Sequence, residues 1–343
     1  MAAGERTLIL AEGFSADPHH GKTMRGVLRY RHEDVVAIVD SERAGESEWG
    51  VPIVADVGAG LAYEPEVALV GVATQGGRFP PAWRELLRAS IANGLSIENG
   101  LHELIADDPE LRPLADDAGV ALRDLRRPPD GLDCPTGANL EVDAHIVLTV
   151  GSDCAIGKMT VSLELNRAAR ARGLASVFVP TGQTGIAIAG WGIAVDAVVA
   201  DFIAGAAEQL VVEGRTRGGR LLNVEGQGSL VHPAYSGVTL GLFHGSAPHS
   251  LVLCHRAGAT EIDGSPGHRI PPLQELVELY ERASLPRRRA TVVAVALNTA
   301  GLDDEEAERE TAAATAATGL PACDPVRTSA EPLLEAVLAS APV

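Results

Sequence analysis

The stretch His145-Ile-Val-Leu-Thr-Val-Gly-Ser-Asp-Cys-Ala-Ile-Gly-Lys-Met-Thr160 decides the fold of the second half of the chain. Its first six residues form an apolar run typical of a central strand, and a helical pattern, Thr160–Arg172, follows the glycine turn. Glycines permit a loop whose backbone N–H groups surround an anion, and Lys158 adds a positive charge. This order of strand, loop, Gly-Lys pair and helix predicts a P-loop that binds the phosphates of a nucleotide or nucleotide-like cofactor. The predicted cofactor-binding residues of the loop are Gly151, Ser152, Asp153, Cys154, Ala155, Ile156, Gly157, Lys158, Met159 and Thr160.

One position in this loop departs from the usual pattern of an ATP-binding P-loop. The residue after the lysine normally offers a hydroxyl to Mg²⁺, and here it is Met159. A thioether is a poor ligand for that hard cation, so Mg-ATP chemistry is disfavoured unless Thr160 substitutes. Elsewhere no CxxC or helical HxxxH spacing occurs, and we therefore predict no metal site.

Composition indicates the class of protein. A chain of 343 residues suggests two domains, and 46% hydrophobic but only 3% aromatic residues indicate cores of Val, Leu, Ile and Ala, which suit parallel strands covered by helices. A formal charge of −18 argues against nucleic acid or an anionic membrane as a partner. Four widely spaced cysteines indicate a reducing compartment, so we expect a cytoplasmic protein. We also expect a homo-oligomer with a small-molecule substrate.

Strand-like and helical patterns alternate along both halves, which predicts an α/β fold. We predict a Rossmann-like parallel-sheet domain at 1–125, a linker at 126–143 and a larger, doubly wound P-loop domain at 144–343. Predicted strands of the first domain are Thr7–Ala11, Val35–Val39, Pro52–Val54, Val67–Val72, Leu95–Ile97 and Val120–Leu122. Those of the second are His145–Val150, Ala175–Val179, Ala197–Ala200, Leu221–Val224, Ser250–Cys254 and Ala290–Leu297.

The first domain offers a second, weaker candidate for cofactor binding. Asp40 ends the second predicted strand, where dinucleotide folds place a ribose-binding acid, but the first turn lacks GxGxxG. Gly21-Lys22-Thr23 ends like a P-loop, yet the preceding glycine is missing from the required spacing. A surface aspartate and an ordinary helix start are the alternatives for these residues.

Three further segments carry candidate functional residues. Glu225 ends a predicted strand at the Walker B position, where it can bind a metal, act as a base or hold loop amides. Asn298 follows another strand, where it either recognises a base or caps a turn. The glycine-rich segment Pro180–Gly192 predicts a loop that approaches a ligand or moves. Asp201 precedes a predicted helix, Phe202–Glu213, and either caps that helix or orients the amine of a substrate.

Several motifs together resemble one family, domain of unknown function 1611, across nearly the whole chain. The matching segments are Gly151–Thr160, Pro180–Gly185, Asp201–Glu208, Val224–Leu230, Leu253–His255, Gly21–Thr23 and Gly71–Arg78. The P-loop and the Val-Glu-Gly segment are also similar to those of dethiobiotin synthetase. Members of the family pair a Rossmann-like domain with a P-loop domain, and bacterial members are described as D-glutamate N-acetyltransferases that use acetyl-CoA.

The resemblance implies roles for specific residues. Coenzyme A carries a pyrophosphate that a P-loop can hold without Mg²⁺, so Met159 fits this activity. Acetyl transfer requires a base and donors for an oxyanion. The candidate catalytic residues are Glu225, Asp201 and His232, and the candidate substrate-binding residues are Thr181, Gln183, Thr184, Arg220 and Arg256. Two alternatives stay open: a ligase, carboxylase or kinase that uses ATP with Mg²⁺, and a non-catalytic nucleotide-binding module.

Overall fold

A computed structural model describes residues 4–17 and 20–341 of the chain. The strands are β1 Thr7–Leu10, β2 Val35–Val39, β3 Ser47–Glu48, β4 Val51–Val54, β5 Val67–Val70, β6 Ser96–Asn99, β7 Leu122–Asp124, β8 His145–Gly151, β9 Ser176–Val179, β10 Leu221–Val224, β11 Ser250–Arg256, β12 Thr291–Asn298 and β13 Ala322–Cys323. The helices are α1 Lys22–Tyr30, α2 Val57–Gly60, α3 Trp83–Ala92, α4 Leu111–Ala118, α5 Lys158–Ala171, α6 Gln183–Ala189, α7 Ile203–Thr216, α8 Ser236–Ser246, α9 Leu273–Arg282, α10 Asp304–Thr318 and α11 Glu331–Ala339.

The chain forms two compact units. The first comprises residues 1–128 and 182–197, and the second comprises residues 129–181 and 198–343. The division at 128/129 lies inside the predicted linker, whereas the inclusion of 182–197 in the first unit was not predicted. Part of the predicted linker is fixed within the second unit, because the carboxylate of Glu208 in α7 accepts hydrogen bonds from the backbone N–H groups of Thr136 and Gly137, each at 2.7 Å.

The first unit contains a seven-stranded sheet in the order β3-β4-β2-β1-β5-β6-β7. All its neighbouring strands pair in parallel except the short β3, which is antiparallel to β4. Without β3 the order is that of a Rossmann fold. Strands such as β1 are fully buried because helices cover both faces, which explains their continuous apolar sequences. The predicted Rossmann-like fold is confirmed.

The second unit contains a six-stranded parallel sheet in the order β13-β12-β11-β8-β10-β9. β8 is central, between β10 and β11, and the chain order reverses there, so its carboxyl end opens at the switch point where α/β proteins bind ligands. α5 starts at this end with Lys158 and packs against the sheet through residues such as Val161 and Leu165. The predicted doubly wound P-loop fold is confirmed.

Two predicted elements between β9 and α7 are wrong. The glycine-rich segment is not a continuous loop, because it contains α6, which begins after Gly182, ends at Gly190 in the left-handed region, and buries Ala187 in the core of the first unit. The predicted strand Ala197–Ala200 is absent from the described chain. Its residues form parts of two 3₁₀ turns, and Val199 is exposed, so no sheet edge pairs with it.

Candidate functional site

The loop between β8 and α5 has unused hydrogen-bond donors. Among residues 4–17 and 20–341, no atom accepts a hydrogen bond from the backbone N–H groups of Ala155, Ile156 or Gly157. The left-handed backbone of Ala155 (φ 52°) and Gly157 (φ 111°) forms the tight turn that exposes these donors. Three successive donors at the start of a helix constitute an anion-binding loop, as the sequence predicted.

Lys158 adds a buried positive charge to this loop. Lys158 is only 5% exposed, and its Nζ donates to the backbone oxygen of Asp153 at 2.6 Å. Burial lowers the pKa of this ammonium, while the nearby groups of Cys154, Cys254, Asp153 and Glu225 oppose the shift. No carboxylate of the described chain forms a salt bridge with it. A buried cation with only a carbonyl acceptor is prepared to bind an anionic ligand.

Side chains from distant segments hold the loop in place. Tyr280 of α9 donates from its hydroxyl to the oxygen of Gly151 at 2.7 Å, and the same hydroxyl accepts the N–H of Leu230 at 3.2 Å. Asn298 donates to the oxygen of Ile156 at 3.2 Å and accepts the N–H of Ala300 at 3.1 Å. Both ends of the Asn298 amide therefore have structural partners. No sequence pattern pointed to Tyr280, because it lies on the buried face of α9, where a large side chain is expected to pack in the core.

Glu225 lies at the carboxyl end of β10, beside the loop. It is 4% exposed, and its Oε2 accepts the backbone N–H of Thr181 at 2.9 Å, while the hydroxyl of Thr181 donates to the oxygen of Glu225 at 2.7 Å. A Cβ on the next residue, Gly226, would lie 1.7 Å from the oxygen of Thr149 in β8, so only glycine fits there. Glu225 and Thr181 are thus together, and the Thr181 N–H is occupied rather than open for an oxyanion.

His232 forms a cluster with two residues of the loop. One ring nitrogen of His232, one carboxylate oxygen of Asp153 and the sulfur of Cys154 all lie within 4.8 Å of one another. The Asp153 carboxylate also accepts the N–H groups of Cys154 at 2.6 Å and Asp263 at 2.8 Å. The sequence suggested His232 but could not show this proximity, because the residues are far apart in the chain.

A cavity of about 360 Å³ adjoins the loop, and one of the side chains that line it, Arg256, is positively charged. Asp153 and Ile156 of the loop line it together with Arg256, Glu261 and Asp263 of the segment after β11. The guanidinium of Arg256 has no hydrogen bond or salt bridge within the described ranges. Arg256 is therefore placed to meet an anionic group beside the loop.

Two predicted site residues of the second unit lie elsewhere. Arg220 precedes β10 at the amino end of the sheet, opposite the loop, and its exposed side chain pairs with Asp143. Asp201 is exposed, and its backbone oxygen accepts a weak bond from the sulfur of Cys134 at 3.9 Å. Phe202, not Asp201, is the residue that precedes α7, and no side chain caps that helix. The predicted capping role of Asp201 is wrong.

Two other predicted substrate-binding residues belong to the first unit. Gln183 accepts a hydrogen bond from Arg126 at 2.7 Å, and the hydroxyl of Thr184 lies 2.9 Å from that of Thr23. Both side chains are buried there. These contacts explain why the glycine-rich segment is ordered as α6.

The turn after β1 differs from the P-loop. The carboxylate of Asp40, which is 1% exposed, accepts the N–H groups of Gly13 at 3.3 Å and Ser15 at 3.1 Å. The N–H of Gly21 donates to the oxygen of Asp17 at 2.8 Å. Asp40 is therefore neither a surface residue nor free to bind a ribose, because it satisfies the turn.

Comparison with known proteins agrees with a P-loop α/β protein of two units. The family model described as "Domain of unknown function (DUF1611_C) P-loop domain" matches residues 133–334, and that described as "Domain of unknown function (DUF1611_N) Rossmann-like domain" matches residues 39–128. The chain belongs to the DUF1611 family. A crystal structure of a DUF1611 family protein from Anabaena variabilis has 42% identity and a TM-score of 0.91, over 98% of this chain and 99% of that one.

Two curated relatives have names that state an activity. A protein named D-glutamate N-acetyltransferase from Tritonibacter scottomollicae is 38% identical over 79% of this chain and 80% of its own length. Another of the same name from a Pseudoalteromonas species is 36% identical over 76% and 77%. These matches support an N-acetyltransferase, as the motif resemblance implied. Among the helices that the structure describes, none combines the length with the apolar composition of a membrane-spanning segment.

Proposed function

We propose that the protein transfers the acetyl group of acetyl-CoA to the amino group of D-glutamate, and that the P-loop holds the CoA phosphates. The observation that carries the proposal is the loop itself, in which N–H groups without an acceptor in the described structure lie beside the Lys158 ammonium, which forms no salt bridge with any described carboxylate. Met159 in place of a hydroxyl residue suits a cofactor whose phosphates do not react. The names of the two relatives supply the acceptor.

Glu225 is the residue we assign as the base. The amine of glutamate attacks the thioester carbon, a C–N bond forms and the C–S bond breaks, and CoA leaves as a thiolate. The amine must lose a proton, and the buried carboxylate of Glu225, fixed by the Thr181 N–H, is oriented to accept it. Of the three candidate bases, Asp201 is exposed to solvent, and His232 has a different arrangement, described below.

Arg256 is the residue we assign to the side-chain carboxylate of the substrate. Its guanidinium has no partner among the residues that the structure describes and borders the cavity beside the loop, whereas Arg220 is paired with Asp143 at the other end of the sheet. Guanidinium and carboxylate form charge-assisted hydrogen bonds, which bind an acidic amino acid in preference to a neutral one. The proposal therefore predicts that D-glutamine is a poor acceptor.

The test is an acceptor and donor screen with the purified protein. We expect release of free CoA with acetyl-CoA and D-glutamate, formation of N-acetyl-D-glutamate by mass spectrometry, and little product with L-glutamate or D-glutamine. The competing ATP function, favoured by the Walker B position of Glu225, predicts release of ADP or phosphate with Mg-ATP. Product from Mg-ATP but not from acetyl-CoA would refute our proposal.

A further inference from the structure

The orientation of the His232 ring is fixed by its own turn. His232 is 6% exposed and precedes α8 by a few residues, and its Nδ1 accepts the backbone N–H of Ala234 at 3.1 Å. The N–H of Ser236 donates to the backbone oxygen of His232 at 3.2 Å. The ring of Tyr235 packs on the imidazole with centroids 4.6 Å apart. The ring therefore cannot rotate without losing these contacts.

This hydrogen bond determines which ring nitrogen carries the proton. An Nδ1 that accepts an N–H must present its lone pair, so in the neutral imidazole the proton is on Nε2. Nε2 can then donate a hydrogen bond but cannot accept a proton. A general base needs a free lone pair, which neither nitrogen of His232 offers in this arrangement.

The residues around the ring indicate which group accepts a hydrogen bond from Nε2–H. His232 lies beside Asp153 and Cys154 of the loop, and the backbone oxygen of Asp153 in turn accepts a hydrogen bond from Lys158. In the proposed function the open N–H groups of Ala155, Ile156 and Gly157 hold the CoA phosphates, and Cys154 directly precedes them in the chain, so a phosphate oxygen is the acceptor that we assign to this donor. Building on the proposed function, we infer that His232 binds a phosphate oxygen of the cofactor through Nε2–H and is not the base.

The same arrangement disfavours a metal ion at this cluster. A metal bound by His232 needs an unprotonated nitrogen that faces it, and the lone pair of Nδ1 already faces the N–H of Ala234. The ammonium of Lys158 also approaches the oxygen of Asp153 and would repel a cation. His232 is therefore not available as a metal ligand in this arrangement.

Two substitutions separate a donor from a base. His232→Ala removes the donor, whereas His232→Gln places an amide N–H near the position of Nε2. We expect the Kd for CoA and the KM for acetyl-CoA to rise about 10- to 100-fold in His232→Ala, with kcat within about threefold, and His232→Gln to recover most of the affinity. His244→Gln, whose ring contacts Ala283 instead, is the matched control and should bind CoA normally. A fall in kcat of about 10²-fold or more in both variants, with unchanged Kd, would overturn the inference.

The tautomer gives a test that is independent of the substrate. In ¹⁵N-histidine-labelled protein, the signals that disappear in His232→Gln should show an unprotonated Nδ1 and a protonated Nε2. The opposite tautomer would refute the inference even if the enzyme uses acetyl-CoA. If the protein does not bind CoA, the proposed function fails, and the same variants are then titrated with inorganic pyrophosphate, where equal affinity of the wild-type protein and His232→Ala would refute the donor role.

Discussion

Each unit has a strand–loop–helix turn that ends in Gly-Lys, and the two turns use their backbone donors differently. In the first unit, the N–H groups of Gly13 and Ser15 donate to the carboxylate of Asp40, so a negatively charged side chain of the protein occupies these donors. In the second, the N–H groups of residues 155–157 have no acceptor in the described chain, and Lys158 has no salt bridge. The comparison teaches that a Gly-Lys ending does not define a phosphate site. What matters is whether the protein already satisfies the donors.

The largest effect is expected for a substitution of Glu225, because Glu225 is the proposed base beside the P-loop. Glu225→Gln keeps an acceptor for the Thr181 N–H but removes the base, so we expect kcat to fall about 10²- to 10⁴-fold while the affinity for CoA is retained. Steady-state rates of CoA release and titration with CoA measure the two quantities. A kcat within threefold of wild type would mean that another group takes the proton.

A matched pair of lysine substitutions tests the comparison directly. Lys158→Ala removes a charge-assisted contact of about 1.5–3 kcal/mol, which corresponds to a loss of about 10- to 150-fold in CoA affinity. Lys22→Ala, in the turn after β1, should bind CoA as the wild type does, because Lys22 is exposed and the carboxylate of Asp40 already accepts two N–H groups of that turn. Calorimetric titration of both variants provides the measurement. An equal loss of CoA affinity in both variants would show that the two turns do not differ in cofactor binding.

Asp40 should affect stability instead of binding. Asp40→Ala leaves the N–H groups of Gly13 and Ser15 without an acceptor in a buried turn, which costs about 1–3 kcal/mol of unfolding free energy. Asp40→Asn retains one acceptor oxygen and should cost less. Urea unfolding followed by circular dichroism measures the difference. A stable Asp40→Ala protein would show that water satisfies these donors, and the turn would then be open after all.

The sequence predicted those parts of the fold and site that depend on local patterns. β2 and β10 have the predicted bounds, because buried parallel strands are continuous apolar runs, and the P-loop followed from residues contiguous in sequence. The placement of α6 in the first unit was missed, because its glycines suggested a loop and its burial depends on contacts with α1 far away in the chain. Tyr280 was missed for the same reason, because it is far from Gly151 in sequence and contacts that residue only in the folded chain.

The roles of individual site residues were the least predictable. Arg220 and Arg256 look alike in sequence, but strand direction places one at the amino end of the sheet and the other beside the loop. The role of His232 depends on a single backbone N–H, that of Ala234, which no residue pattern reveals. Motifs therefore located the site, and hydrogen-bond partners assigned its chemistry.

The smallest expected effect concerns two histidines at the amino end of the second sheet. His145 and His249 stack with centroids 5.0 Å apart, and burial together with the charge of Arg288 lowers the pKa of each from 6.5 to about 4. The unfolded chain binds protons at these rings near pH 6.5 and the folded protein only near pH 4, so stability is complete above pH 6.5 and is lost as the pH falls toward 4. Because water still screens both rings, we expect a total loss of about 1–2 kcal/mol. Urea unfolding at pH 7 and pH 5 should show this loss in the wild type and a smaller one in a His145→Gln, His249→Gln double variant. An identical pH dependence in both proteins would assign the acid sensitivity to carboxylates elsewhere in the fold.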